Sequence, residues 1–184
     1  MNLIKPSVAC LEKKICRFPL LVNLYSRPYL QVIKNEIGLA QISAADKVLN
    51  IGCGAVPFTA LQIAALTGAT VWAMDRDADA VKRACFCIEQ AGMDERIRVI
   101  EGNGAYDVLS GFNVAIVALQ AEPKEDILDN LLAAALTGGR LVFRRANNYF
   151  KQCYDRLPLK MDPVAEVKQH MQTFDRSVLY VKTG

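Results

Sequence analysis

Two glycines, Gly52 and Gly54, follow a short apolar run at residues 48–51, and a second apolar run at 70–74 ends on a carboxylate, Asp75. Glycine belongs where a backbone turns sharply and must approach a ligand with no Cβ in the way. A carboxylate at the tip of the next strand, about twenty residues on, is placed to accept hydrogen bonds from ribose hydroxyls. Between them Phe58, Leu61, Ala64 and Ala65 recur with helical spacing. Strand, glycine turn, helix, strand and acid make one half of a nucleotide-binding α/β unit.

The other elements are those that must hold this unit in place. Residues 1–19 show no period and are expected as a loosely attached arm. Residues 20–39 are amphipathic through Leu21, Leu24, Tyr25, Tyr29, Val32, Ile33, Glu36 and Ile37, and Pro28 is expected to split them into two helices. Residues 77–91 carry the stripe Ala80, Val81, Ala84, Cys85 and Ile88, which Gly92 ends. Strands are expected at 96–101, 112–119 and 140–144, with a helix at 123–136 that has Pro123 near its first turn. Residues 147–157 read as a short helix. Residues 164–171 and 178–182 read as strands joined by a tight connection at 172–177, with His170 in mid-strand.

Strands alternating with helices predict an α/β fold: a Rossmann-like, doubly wound, mostly parallel seven-stranded sheet. The closing pair has no room for a helix between its members and must be an antiparallel hairpin. Residues 1–41 are expected as an N-terminal arm with helices, and 42–184 as the ligand-binding domain.

With 184 residues, 52% hydrophobic and 22% charged, the composition is that of an ordinary globular domain with a sizeable core. A net charge of +3, with Lys and Arg scattered along the chain, gives no strong nucleic-acid signal. No run has signal-peptide character, and none is long enough to span a bilayer. The six cysteines form no zinc-type pairs; Cys85 and Cys87 diverge by roughly 200° on a helix. Thiols in a reducing cytoplasm are the expectation.

Here the motifs become specific. The strand order resembles that of class I S-adenosylmethionine-dependent methyltransferases, whose first motif, roughly V-L-D-x-G-x-G, stands here as Val48-Leu49-Asn50-Ile51-Gly52-Cys53-Gly54. The family's ribose-binding acid matches Asp75, and its adenine-contacting acid after the third strand matches Asn103 of Gly102-Asn103-Gly104. Its fourth-strand motif appears as Phe112-Asn113-Val114-Ala115-Ile116-Val117. Three family acids are thus amides: Asn50, Asn103 and Asn113. A narrower set is similar to the nicotianamine synthase family. It comprises Gly52-x-Gly54-x-x-Pro57-Phe58-Thr59, Val117-Ala118-Leu119-Gln120-Ala121-Glu122-Pro123-Lys124 and Leu141-Val142-Phe143-Arg144. Those enzymes share the methyltransferase fold but move the 3-amino-3-carboxypropyl group of S-adenosylmethionine to an amine.

The resemblance implies S-adenosyl-L-methionine as cofactor, held by Asn50, Gly52, Cys53, Gly54, Asp75, Arg76, Asn103 and Gly104, with Leu119 and Gln120 flanking the reacting carbon. Sulfonium carbons need little activation, so the protein must mainly hold donor and nucleophile in line. No metal site is expected. Tyr25, Tyr29 and Glu122 are candidate bases, and Arg144 is a candidate fork for a substrate carboxylate, with Arg145 beside it.

Methyl transfer to a small-molecule acceptor leads by base rate, because only residues 1–41 precede the motif where nicotianamine synthases carry a cavity-forming helical domain. Aminocarboxypropyl transfer to an amine is the alternative, and a non-catalytic adenosyl-ligand-binding subunit is a further one. A dinucleotide-dependent oxidoreductase is disfavoured, since Pro57 stands where its fingerprint needs a third glycine. A homodimer completing the cavity through the N-terminal arm is left open.

Overall fold

The computed structural model describes residues 19–183, with side chains from residue 29 onward; the expected arm at 1–18 and the side chain of Tyr25 lie outside the described residues. The element order is α1 (Pro19–Ala40), β1 (Lys47–Ile51), α2 (Phe58–Thr67), β2 (Thr70–Asp75), α3 (Ala78–Gln90), β3 (Ile97–Glu101), β4 (Val114–Val117), α4 (Lys124–Ala134), β5 (Arg140–Ala146), β6 (Ala165–Lys168) and β7 (Phe174–Val181). The seven strands form one sheet in the order β3-β2-β1-β4-β5-β7-β6. The first five run parallel, and β7 pairs antiparallel with both β5 and β6. This is the Rossmann-like sheet the alternation predicts.

Strand alternation splits the core in two. Val48, Val71, Ile116 and Val142 face α1, α2 and α3, where Ile33, Ala60, Ile63, Ala84 and Ile88 cover them. Leu49, Val117, Phe143 and Tyr180 face the opposite way and meet Ile127, Leu128 and Leu131 of α4. The apolar runs in β1 and β4 need this double cover, since both faces of a central parallel strand leave water. The register sets Asn50 opposite Ile116 and Ile51 opposite Val117, so β1 and β4 end together beside the glycine turn.

Four expectations are corrected. The first helix runs unbroken from Pro19 through Pro28 to Ala40; proline's φ suits a helix, and the cost is one backbone bond plus local crowding. Residues 147–157 are turns rather than a helix. Asn147 Oδ1 accepts from the Tyr149 and Phe150 amides at 3.0 and 3.1 Å as an N-cap would, but the turns that follow close three residues back, Phe150 on the Asn147 carbonyl and Cys153 on the Phe150 carbonyl, at 3.1 and 2.8 Å. β4 is four residues long, half of the apolar run.

The hairpin is displaced as well. β7 begins at Phe174, so its connection is 169–173 and His170 sits exposed in that turn rather than in mid-strand. The polar run Asp175-Arg176-Ser177 hid a strand whose pairing with β5 slips between Arg145 and Ala146. Arg145 pairs with Asp175 and Arg176 with Glu166, while Ser177 is buried.

Candidate functional site

The glycine turn is built almost wholly from backbone. Gly52 and Gly54 adopt φ of +76° and +71°, a conformation that side-chain-bearing residues rarely take. The Gly52 and Cys53 amides both donate to the Met74 carbonyl, at 2.9 and 3.0 Å, which ties the turn to the end of β2. Asp75 then locks it: Oδ2 accepts from the Gly54 amide at 2.8 Å and Oδ1 from the Asp77 amide at 3.0 Å. A carboxylate offers about four acceptor positions, so two remain for hydroxyls. The capping role belongs to Asp77, which accepts from the Asp79 and Ala80 amides at the start of α3.

Opposite, the turn after β3 places Asn103. Its Oδ1 accepts from the Ala105 amide at 3.0 Å, and its backbone amide donates to Asp107 Oδ2 at 3.0 Å. That fixes the amide's orientation and leaves Nδ2 as an outward donor. Gly104 packs so tightly on Ile51 that a Cβ would lie 2.7 Å from Cγ2 and 2.9 Å from Cδ1. At the end of β4 the chain passes through Gln120, Ala121 and Glu122, the last joined to Pro123 by a cis peptide bond.

These pieces border one cleft of about 170 Å³ beyond the carboxyl ends of β1, β2 and β4. Of the residues expected at the site, Gly52, Asp75, Arg76, Asn103, Gly104, Gln120 and Glu122 line it. Four others support it from behind. Gly54 gives its amide to Asp75, and Cys53 is buried with Sγ 3.6 Å from the Gly54 carbonyl. Leu119 is buried with Val32 and Phe174. Asn50 donates to the Ile116 carbonyl at 3.3 Å inside the sheet, while its Oδ1 is buried without a hydrogen-bond partner among the described residues.

Arg144 is a correction. Its guanidinium fork is spent internally: Nε and Nη2 each lie 2.8 Å from a Glu36 carboxylate oxygen, and Nη2 reaches Thr59 Oγ1 at 3.1 Å. Glu36 also accepts from Ser177 Oγ at 2.7 Å. The pair is nearly water-free, with side chains 6% and 0% exposed. Burial opposes the arginine's charge, but the Glu36 carboxylate more than offsets it and holds the guanidinium pKa above its usual value. Arg144 therefore joins α1 to the sheet and offers no fork to a substrate. Tyr29 stacks on Phe58, ring centroids 6.5 Å apart, at the start of α2.

Asn113 also has a task away from the site. Its Oδ1 accepts from the Lys47 amide at 2.8 Å and its Nδ2 donates to Asp46 at 2.6 Å, at the opposite end of the sheet. Two buried groups escape sequence reasoning. Lys124, 1% exposed, donates from Nζ to the carbonyls of Leu119 and Ala121 at 2.9 and 3.2 Å, bracing the cleft wall from below. Glu36 was visible only as an acid within an apolar helical stripe. No group of three His, Cys, Asp or Glu among the described residues is placed to hold a metal, and no described helix is long and apolar enough to cross a membrane.

The chain is 29% identical over 123 residues to the L-histidine 2-aminobutanoyltransferase of Yersinia pestis, covering 67% of this chain and 46% of that one. The chain thus spans under half the length of that relative. Among solved structures, MtNAS in complex with MTA and tNA superposes with a TM-score of 0.79 at 22% identity, covering 94% of this chain and 69% of that one. A glutamate-to-glutamine mutant of MtNAS with S-adenosylmethionine gives 0.78 at 23%, covering 94% and 70%. An RNA methyltransferase from Salinibacter ruber with S-adenosyl-L-homocysteine gives 0.68 at 17%, covering 83% and 91%. These likenesses bear out the fold. The family model for nicotianamine synthase protein matches residues 12–176, nearly the whole chain, and the protein belongs to that family.

Proposed function

We propose that the chain is an S-adenosylmethionine-dependent transferase that moves the 3-amino-3-carboxypropyl group to an amine on a small-molecule acceptor. The observation that carries this is the family match over residues 12–176, laid on a cleft whose cradle suits an adenosyl group. The fit is physical. Gly52 takes a positive φ of +76° and, with Gly104, borders the cleft without a side chain, which leaves backbone open to a ligand there.

The two spare acceptor positions on Asp75 suit ribose hydroxyls, and the outward Nδ2 of Asn103 suits an adenine ring nitrogen. The Gly52 turn would receive the amino-acid end. Bound S-adenosylmethionine supplies a sulfonium with electrophilic carbons. The chain's own part is to orient it against Gln120 and Glu122 and to accept a proton from the amine, a role for which Glu122 or Tyr25 is the candidate.

Methyl transfer is kept as the second reading, because the Salinibacter ruber methyltransferase superposes over 91% of its own length. Calorimetric titration with S-adenosylmethionine, S-adenosylhomocysteine and methylthioadenosine tests both. Micromolar binding of the first two establishes the site, and comparable binding of methylthioadenosine, the product of aminocarboxypropyl transfer, places that reaction ahead. Failure of every adenosyl ligand to bind would sink the transferase reading. The proposal includes a reducing cytoplasm as the working compartment, in keeping with Cys53, Cys85, Cys87 and Cys153, none of which is in a disulfide. It also includes a homodimer closing the acceptor cavity, which sedimentation at micromolar concentration would reveal or refute.

A further inference from the structure

A second and larger opening, of about 870 Å³, lies within the usual size range for small-molecule sites. The turns at 147–157 form one side and the end of β5 the other. Three cations border it: Arg145, Lys151 and Arg156. Lys151 and Arg156 are exposed, and neither makes an ion pair among the described residues. Arg145 pairs with Asp175 at 3.1 Å, both side chains about two-fifths exposed, a contact weak enough to be exchanged for a ligand.

The one acid on the rim, Asp155, is already committed. Its Oδ2 accepts from the Lys124 amide at 2.6 Å and its Oδ1 from the Arg156 amide at 2.8 Å. The first contact supplies the α4 N-terminus with the cap that Pro123 lacks. It also fixes the 147–157 turns to the chain segment that walls the cleft. Tyr154 completes the partition: it packs against Leu119, Val32 and Phe174, and Leu119 directly precedes the cleft residue Gln120. Burial first, then Tyr29 and Cys153, hold the Tyr154 phenol above its usual pKa.

We propose that this basin, bounded by Arg145, Lys151 and Arg156, anchors the acceptor by a dianionic tail, either two carboxylates or one phosphate, while the amine reaches around the Leu119–Tyr154 partition to the cleft. The inference rests on the transferase reading for its acceptor role; the anion site itself stands on the basin alone. Two uncommitted cations and one exchangeable guanidinium select a double negative charge over a single one. The guanidinium planes favour forked pairing, which either dianion provides.

The test uses the full chain. Inorganic phosphate and malonate are titrated calorimetrically, with acetate as the monoanion, into the native protein and into the Lys151→Glu, Arg156→Glu double variant. Binding of a dianion that exceeds acetate at least tenfold, and that falls at least tenfold in the double variant, is the expected result. Preference between phosphate and malonate tells which dianion the site is built for. S-adenosylhomocysteine affinity should stay within twofold in the variant, since neither residue touches the cleft.

Equal binding of acetate, or dianion binding that survives charge reversal, would overturn the site. With alkylamines of increasing chain length as acceptors, each with and without a terminal phosphate or dicarboxylate, methylthioadenosine release should favour the dianionic tails. Release that ignores the tail would overturn the acceptor role. Absence of any adenosyl-ligand binding would instead overturn the transferase reading and the acceptor role with it, while phosphate binding dependent on Lys151 and Arg156 would still stand.

Discussion

The two sides of the sheet's carboxyl end are held together by different means. On the side of β1, β2 and β3, the cleft is shaped by backbone groups and short side chains close in sequence. Asp75 bonds the Gly54 and Asp77 amides, and Asn103 bonds the amide two residues on. On the side of β5, β6 and β7, the joints are side-chain pairs between remote stretches. Glu36 meets Arg144 and Ser177 across 108 and 141 residues of chain, and Asn35 meets Gln169 across 134. The first side is a local motif that leaves bare backbone at the cleft. The second is a long-range clamp that fastens α1 over the sheet. Damage to the first should cost binding, and damage to the second should cost folding.

The sharpest way to break that contrast is through the clamp. Removing one member of a buried ion pair strands the other charge away from water, so Glu36→Ala or Arg144→Ala should each cost about 3–5 kcal/mol in urea unfolding. Replacing both by Met removes the charges together and should recover most of the loss, leaving only Ser177 and Thr59 short of a partner. Single losses no larger than those of a surface pair, under about 1 kcal/mol, would show that water reaches the clamp.

The complementary experiment leaves the clamp alone. Asp75→Ala removes the acceptor of two backbone amides and the candidate ribose contact together. S-adenosylhomocysteine affinity should fall roughly 10- to 100-fold, which is about 1.4–2.8 kcal/mol. The unfolding midpoint should move less than in either Glu36→Ala or Arg144→Ala. A stability loss as large as theirs would erase the distinction between the two sides.

Gly104→Ala sharpens the contrast at a smaller scale. The added methyl meets Ile51 side-chain carbons at 2.7 and 2.9 Å, and Ile51 itself lines the cleft. The relief available to Ile51 is to lean into the ligand space, so affinity should fall several-fold, about 1 kcal/mol, with little change in unfolding. Ile51→Ala in the same chain removes both colliding carbons and should restore binding. Failure of that rescue would mean that the backbone of the 102–104 turn, rather than Ile51, gives way.

The same contrast explains what could be read from the sequence. Gly52, Gly54, Asp75 and Asn103 were legible because a turn needing positive φ and an acid about one strand–helix unit later are spelled in contiguous residues. Arg144 was legible as an unusual charge at the end of an apolar strand, but its purpose was not, since its partner lies 108 residues away on α1. Residues 147–157 looked like a helix, because periodicity does not report that the Phe150 and Cys153 amides close on carbonyls three residues back rather than four. Phe174 opens β7 four residues ahead of the apolar run at 178–182, because Asp175, Arg176 and Ser177 look polar until the register slip and the Glu36 network that receives Ser177 are seen.

The smallest effect concerns the base of the sheet, where both sides meet. Asp46 precedes β1, Asn113 precedes β4 and Arg140 opens β5; the three are joined, with Ser43 donating its amide to Asp46 at 2.7 Å. Burial by itself would raise the Asp46 pKa, yet the Ser43 amide, Arg140 and Asn113 outweigh it and leave the carboxyl below its usual value. A carboxyl whose folded pKa is depressed stabilises fully above its unfolded value, near 3.9, and loses that contribution as pH falls through the folded value. Arg140 is partly exposed, so the pair is screened and Asp46→Asn should cost on the order of 1 kcal/mol at neutral pH. That deficit should shrink as the pH is lowered below about 4, because the native protein then loses the same charge the variant never had. A gap that widens with acid would mean that Asp46 is held protonated, and that burial, rather than the donors around it, decides its state.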